Sequence, residues 1–243
     1  MCGRFTSVTT SSELADFFEA DSDLPDTEPN FNVTPTSDIR VVHEDENGQR
    51  RLNFMFWGLV PSWAESPASA SRLINARSET AATKPSFRSA FRRRRCIIPV
   101  DGFYEWVSHP DRKKKQPVYI SSKYSRPLAF AGIWETWQGS ASSGGLESLT
   151  SCAILTGPPN ALISPLHDRM PMILERDRWS DWLDRSSEDV ERLEAMLEPA
   201  PEDWLQWWPV SLRVNSVHNN DVMLTEASAV TPDGEAEGQG RLM

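Results

Sequence analysis

The second residue of the chain, in the opening sequence MCGRF, is a cysteine whose chemistry depends on the residue before it. Once Met1 is removed, Cys2 carries an α-amine and a thiol on one residue. An α-amine with an ordinary pKa of ~7.7–8.0 is substantially neutral near physiological pH and can condense with an aldehyde to an imine. The thiol can then add to the imine carbon and close a five-membered thiazolidine. Neither step is open while the nitrogen belongs to a peptide bond. Gly3 leaves room for close approach, although position alone is weak ground because any chain can carry a cysteine there. Cys96 and Cys152 lie in apolar runs, RCIIPV and TSCAILT, and read as small buried hydrophobes. Three widely spaced cysteines give no disulfide framework, and without a CxxC pair the sequence calls for neither a metal nor another cofactor.

Other residues could move protons or hold a substrate. Glu105 stands in GFYEW, where strand alternation puts Phe103 and Glu105 on one face and Tyr104 and Trp106 on the other. A carboxyl among aromatic groups has a raised pKa and suits proton transfer near neutrality; the alternative is an exposed or arginine-paired glutamate. His167, in PLHDRMP, is an acid/base candidate at a polar turn, or a surface histidine. His43, His109 and His218 have weaker contexts. Asn75 in LINARSET could orient a substrate through both donor and acceptor, or simply form a turn. Arg77 could hold a phosphate, and Arg4 could do so or lower the Cys2 thiol pKa, or make a structural salt bridge. The aromatic segment FMFWGLVPSW offers Trp63 with Pro61 as a wedge against unstacked bases, with Phe54 and Phe56 read as core.

The net charge of −10 opposes nucleic-acid binding in the sum but not in its distribution. Arg72, Arg77, Arg88 and Arg92 to Arg95 gather in one stretch, and the acids concentrate before residue 50 and beyond Glu175. Arginine far outnumbers lysine, which favours bidentate phosphate contacts. An acidic, lysine-poor surface also suits a salt-rich cytosol, in which case capture of a charged ligand should depend little on added salt. No apolar run approaches the ~20 residues needed to span a bilayer. The opening MCGRFTS lacks a secretory pattern, so the cytoplasm is the expected location.

The elements that must position these residues follow from periodicity. Thr10-Ser11-Ser12-Glu13 has the form of a capping box ahead of Leu14, Phe17 and Phe18 at helical spacing. Residues 21–36, rich in Pro, Asp and Asn, read as loop. Strands are predicted over 39–43, 52–57, 96–106, 117–121, 128–134, 151–156 and 208–217, and helices over 178–183 and 188–197. Residues 138–145 form a Gly/Ser linker at a hairpin tip. The fold class is α+β: one domain over 1–224 with an antiparallel, barrel-like β core and flanking helices, and a disordered acidic tail over 225–243.

Taken together, MCGRF, FNVTP, FWGLVPSW, INARSET, CIIPVDGFYEW, LAFAGIWETW, HDRMPMIL and VNSVHNN resemble, in order and from residue 2 to about 224, the SOS-response-associated peptidase (SRAP) family. The resemblance implies a single α+β domain that bonds covalently, through Cys2 exposed by loss of Met1, to abasic sites in single-stranded DNA. It assigns catalytic roles to Cys2, Asn75, Glu105 and His167, and DNA contacts to Arg4, Arg72, Arg77, Pro61 and Trp63, with Trp63 near a single-strand to duplex junction. Weak lyase cleavage and self-removal of Met1 come with it, as do a monomeric state, no membrane partner, no cofactor and association with the nucleoid. This sequence departs from the family pattern at Leu59, Val60, Ser62 and His218. The rival expectations are a cysteine peptidase or amidohydrolase with Cys2 as N-terminal nucleophile, and a non-catalytic reader of modified bases.

Overall fold

In the computed structural model, residues 2–108, 114–139 and 147–228 are described. The strands begin with β1 (Phe5–Ser7), β2 (Asn30–Val33), β3 (Asp38–Glu44), β4 (Arg50–Trp57), β5 (Asn75–Arg77) and β6 (Arg95–Val100). They continue with β7 (Gly102–Val107), β8 (Gln116–Ser122), β9 (Leu128–Gln138), β10 (Ser148–Gly157), β11 (Met170–Pro171) and β12 (Leu205–Pro209). The α-helices are α1 (Ser11–Phe18), α2 (Ser78–Ala81), α3 (Arg88–Arg93), α4 (Trp179–Leu183) and α5 (Val190–Ala195).

Five strands close a barrel in the order β4-β3-β6-β9-β10 and back to β4. Four seams are antiparallel. The closing one, β10 on β4, is parallel and short, with Ser151 opposite Phe56 and Cys152 opposite Trp57. The fold is therefore α+β with a barrel core, as the patterning predicts. β6 is buried along its whole length because its outer face is covered by α3 and α4. Trp182 of α4 donates its indole N–H to the Cys96 carbonyl at 2.9 Å. Cys96 and Cys152 are both buried within this core, as expected. A second sheet, in the order β12-β8-β7-β1-β2, carries the amino-terminal strand in its interior.

Several boundaries differ from those predicted. The capping box is present: Glu13 N–H donates to Thr10 Oγ1 and Thr10 N–H to Glu13 Oε2. The supposed loop over 21–36 contains β2, which pairs with β1 and whose Phe31 carbonyl accepts from the Tyr104 hydroxyl at 2.9 Å. Tertiary pairing overrides a composition that favours turns. The run 96–106 is two strands, broken at Asp101. That carboxylate accepts the backbone N–H groups of Val8 and Thr9, so the chain turns there from the barrel into the second sheet. The last strand starts at Leu205 and stops at Pro209, and residues Leu212–Asn215 form a 3-10 turn capped by Ser211. Residues 140–145 of the Gly/Ser tip, 229–243 of the tail and His109 lie outside the described residues. Among the described residues no helix is long and apolar enough to cross a membrane.

Candidate functional site

The site is organised by the way β1 enters the second sheet. β1 lies between β2 and β7, with Phe5 opposite both Val33 and Phe103. The register continues toward the amino end, where the Tyr104 N–H donates to the Arg4 carbonyl at 3.0 Å. It thereby leads Gly3 and Cys2 up beside Glu105. The predicted alternation on β7 holds: Phe103 belongs to the main core, and Tyr104 and Trp106 pack into a separate cluster with Tyr119 and Trp208.

Glu105 is 3% exposed, and burial raises its pKa above the ordinary carboxylate value. The nearby His167 works in the opposite direction. The edge-strand alternative for Glu105 therefore does not apply.

Cys2 is buried, and its thiol pKa is raised, chiefly by desolvation and then by the charge of Glu105. Of the roles open to Arg4, a low Cys2 thiol pKa is not realised. A backbone hydrogen bond at Arg4 pulls downward, but burial dominates. The guanidinium turns elsewhere: Nη1 donates to Asn32 Oδ1 at 2.6 Å and to the Val214 carbonyl at 2.9 Å, and the group lies over the Trp106 ring. Arg4 thus ties the amino-terminal strand to β2 and to the 212–215 turn.

Asn75 reaches the site from the barrel side. β5 pairs in parallel with β10, Asn75 opposite Ile154, which fixes the backbone from which its amide extends. Its Nδ2 donates to the Cys2 carbonyl at 2.7 Å. Its Oδ1 is buried with no partner among the described residues, so an acceptor stands ready beside Cys2. His167 closes the group from the turn between β10 and β11. The His167 backbone N–H donates to the Ile163 carbonyl at 3.0 Å, and Nδ1 accepts the Arg169 N–H at 3.0 Å. Asp168 Oδ1 also lies 2.9 Å from Nδ1.

The four residues predicted as catalytic are connected: Asn75 bonds to Cys2, and Glu105 interacts electrostatically with both Cys2 and His167. Among the described residues no group of three His, Cys, Asp or Glu side chains is placed to hold a metal ion.

The predicted DNA contacts are distributed differently. Gly58, at φ 140°, lets the loop after β4 fold back so closely that a Cβ would stand 2.6 Å from the Ala70 carbonyl oxygen. The loop is pinned by the Trp137 indole N–H to the Ala64 carbonyl at 2.6 Å and by the Leu59 N–H to the Leu73 carbonyl. Trp63, 66% exposed, projects from this anchored loop. Pro61, predicted beside it as part of the wedge, is buried and shapes the loop instead. Phe56 packs at the barrel end as core, whereas Phe54 is exposed. Arg72 and Arg77 are exposed, Arg77 two residues beyond Asn75 on the same strand.

The arginine run is mostly structural. Arg93 pairs with Glu188 and Arg94 with Glu135, at 2.9 and 2.7 Å. Arg95 is buried and donates to the carbonyls of Trp182, Phe91, Arg92, Asp184 and Ser187. Sequence reading missed the Glu79–Arg169 ion pair beside His167, although both residues stand inside quoted motifs.

The family model for SOS response associated peptidase (SRAP) matches residues 1–217. The chain belongs to the SRAP family. It is 39% identical over 229 residues to abasic site processing protein YoqW of Bacillus subtilis, covering 93% of this chain and all of that one. It is 31% identical to abasic site processing protein YedK of Escherichia coli, over 93% of this chain and 99% of that one. Similarity extends to abasic site processing protein HMCES of Xenopus tropicalis, 30% identical over 82% of this chain and 66% of the relative. A crystal structure of a Bacteroides thetaiotaomicron protein superposes with a TM-score of 0.83 at 22% identity, over 94% of this chain and all of that one. This last match bears on the SRAP fold alone.

Proposed function

We propose that the protein processes abasic sites in single-stranded DNA by bonding to them through Cys2, after Met1 has been removed. The observation that carries the reading is the convergence of Asn75, Glu105 and His167 on a cysteine at position 2. Its relatives are named as abasic site processing proteins, in accord with this chemistry. His167 protonates the ring oxygen of the closed sugar and frees the C1′ aldehyde. The Cys2 amine adds to C1′, and Glu105 transfers protons as water leaves and the imine forms. The thiol then adds across the C=N bond: sulfur bonds to C1′, its proton goes to nitrogen by way of Glu105, and a thiazolidine results. One water is released overall.

Consuming the aldehyde protects the strand from β-elimination, and an imine that persists gives weak lyase cleavage. Arg77, Arg72 and Trp63, all exposed, serve as the strand contacts, suited to a junction where bases unstack. The protein acts as a monomer at the nucleoid, and removal of Met1 is either its own reaction or that of an aminopeptidase.

The deciding experiment is intact mass spectrometry after incubation with an oligonucleotide carrying one abasic site. The protein should lose Met1 and gain the oligonucleotide mass less one water, and Cys2→Ala should form no denaturation-resistant adduct. An undiminished adduct with Cys2→Ala overturns the proposal. Multiple turnover of a peptide would favour the peptidase reading instead.

A further inference from the structure

We propose that Glu79 and Arg169 act as a positioning pair that sets the tautomer and the aim of the His167 ring. The proposal deepens the reading of His167 as the acid that opens the abasic sugar, and it rests on that reading.

The pair is built into the two elements that flank the site. Arg169 lies in the turn before β11, and its guanidinium is held as a fork: Nη1 donates to Glu79 Oε1 at 2.9 Å and Nη2 to Glu79 Oε2 at 2.7 Å. Nε donates to Thr156 Oγ1 at 3.3 Å, and Nη2 also reaches the Thr156 carbonyl. Glu79 sits in the first turn of α2, immediately after the strand that carries Asn75, and Thr156 lies at the end of β10. The Arg169 side chain is therefore clamped between both elements and nearly buried, its exposure 12% against 46% for Glu79. A planar guanidinium held bidentately has little freedom to rotate.

Clamping the side chain fixes the backbone that carries it. The Arg169 N–H points at His167 Nδ1, 3.0 Å away. An N–H can only donate, so this contact uses the Nδ1 lone pair and favours the neutral ring with its proton on Nε2. The Asp168 carboxylate at the same nitrogen favours Nδ1–H instead, and the clamped Arg169 backbone tips that balance. When the ring gains a second proton, Nδ1–H must find an acceptor, and Asp168 Oδ1 stands 2.9 Å away for it. The neutral tautomer is set by a buried clamp and the cation is received by an exposed carboxylate. Glu79 is held down to about 2 by the Arg169 hydrogen bonds, so the clamp stays ionised throughout the range in which a histidine titrates.

The test reads the ring directly, without DNA. In protein labelled with ¹⁵N-histidine, long-range ¹H–¹⁵N correlations report the tautomer of His167, assigned by its loss in His167→Gln. The native protein should show the Nε2–H form alone. Glu79→Gln and Arg169→Lys should both show an added Nδ1–H population, and Glu79→Asp should restore the native pattern. Capture of an abasic oligonucleotide at saturating concentration should slow on the order of 10-fold in Glu79→Gln, the scale of a slightly misplaced catalytic group. Its affinity for an undamaged strand should be unchanged.

An unchanged tautomer in both variants, alongside a lowered unfolding temperature, would make the pair merely structural and overturn the proposal. Weakened affinity with an unchanged saturated rate would overturn it too, in favour of a DNA contact. If His167→Gln captures at the native rate, the underlying reading of the site falls, while the tautomer spectra still decide the clamp.

Discussion

Replacing Asn75 by alanine separates a residue that positions the nucleophile from one that only holds the fold. The native amide donates to the Cys2 carbonyl at 2.7 Å, at a place where Cys2 is buried. Alanine removes the donor and leaves that carbonyl without its partner, at a cost of about 1–3 kcal/mol. Expressed wholly in the reactive geometry, this corresponds to roughly 5- to 150-fold in rate, since about 1.4 kcal/mol is tenfold. Expressed in stability, it lowers the melting temperature by about 2–4 °C per kcal/mol for a chain of this size. Asn75→Asp should be worse than alanine, because it sets a second acceptor against the carbonyl. The assay is single-turnover capture of an abasic oligonucleotide at saturating DNA, resolved on denaturing gels, beside a thermal melt of the same protein. We expect Asn75→Ala to slow capture at least 5-fold once the change in folded fraction is taken into account. A native rate at saturation with a lowered melting temperature would refute the positioning argument.

Two further outcomes follow from burial. Burial raises the Glu105 pKa above its ordinary value of 4.5, so its folded form holds the proton more tightly than the unfolded chain does. The stability this contributes is full below about 4.5 and is lost as pH rises through the higher folded value. Glu105→Gln should therefore gain melting temperature relative to the native protein at pH 8 and lose that advantage at pH 4, while capturing slowly at both; an equal shift at the two pH values would contradict the assignment. Trp63→Ala, at an exposed position, should leave the melting temperature unchanged yet weaken single-strand binding by about 1–3 kcal/mol in fluorescence anisotropy, the worth of one stacked base. Unaltered affinity would remove Trp63 from the interface.

The site was legible chiefly through the ordered motifs that resemble the SRAP family, and periodicity supplied only local placement. Alternation put Phe103 and Glu105 on one face of β7, which the structure shows to be buried, and the capping box alone started α1. What the patterns could not carry was partnership across long separations. β2 exists because β1 and Tyr104 supply its bonds, and nothing within 21–36 announces them. The arginine run misled in the opposite sense. Adjacent arginines read as a charged face, yet Arg95 turns inward to five carbonyls contributed largely by the α4 segment, some 90 residues on. Glu79 and Arg169 stood in plain sight within INARSET and HDRMPMIL, but only the fold brings them together, across 90 positions.

In the proposed reaction the burial of Cys2 also orders the chemistry. A peptidase nucleophile of this kind must ionise before attack, and here desolvation and the Glu105 charge both oppose a thiolate. An amine has no such obstacle, since its reactive form is the neutral one and a low-dielectric pocket favours it. Once the imine forms and takes a proton, a positive charge stands on the nitrogen of the same residue that carries the thiol. That charge favours the thiolate in the place where burial had suppressed it. The same charge favours the carboxylate form of Glu105, which can then take the thiol proton and pass it to nitrogen as the ring closes. On the proposed mechanism the thiol is thus withheld until the carbon it must attack has become electrophilic, while the Asn75 hydrogen bond to the Cys2 carbonyl holds the backbone in place.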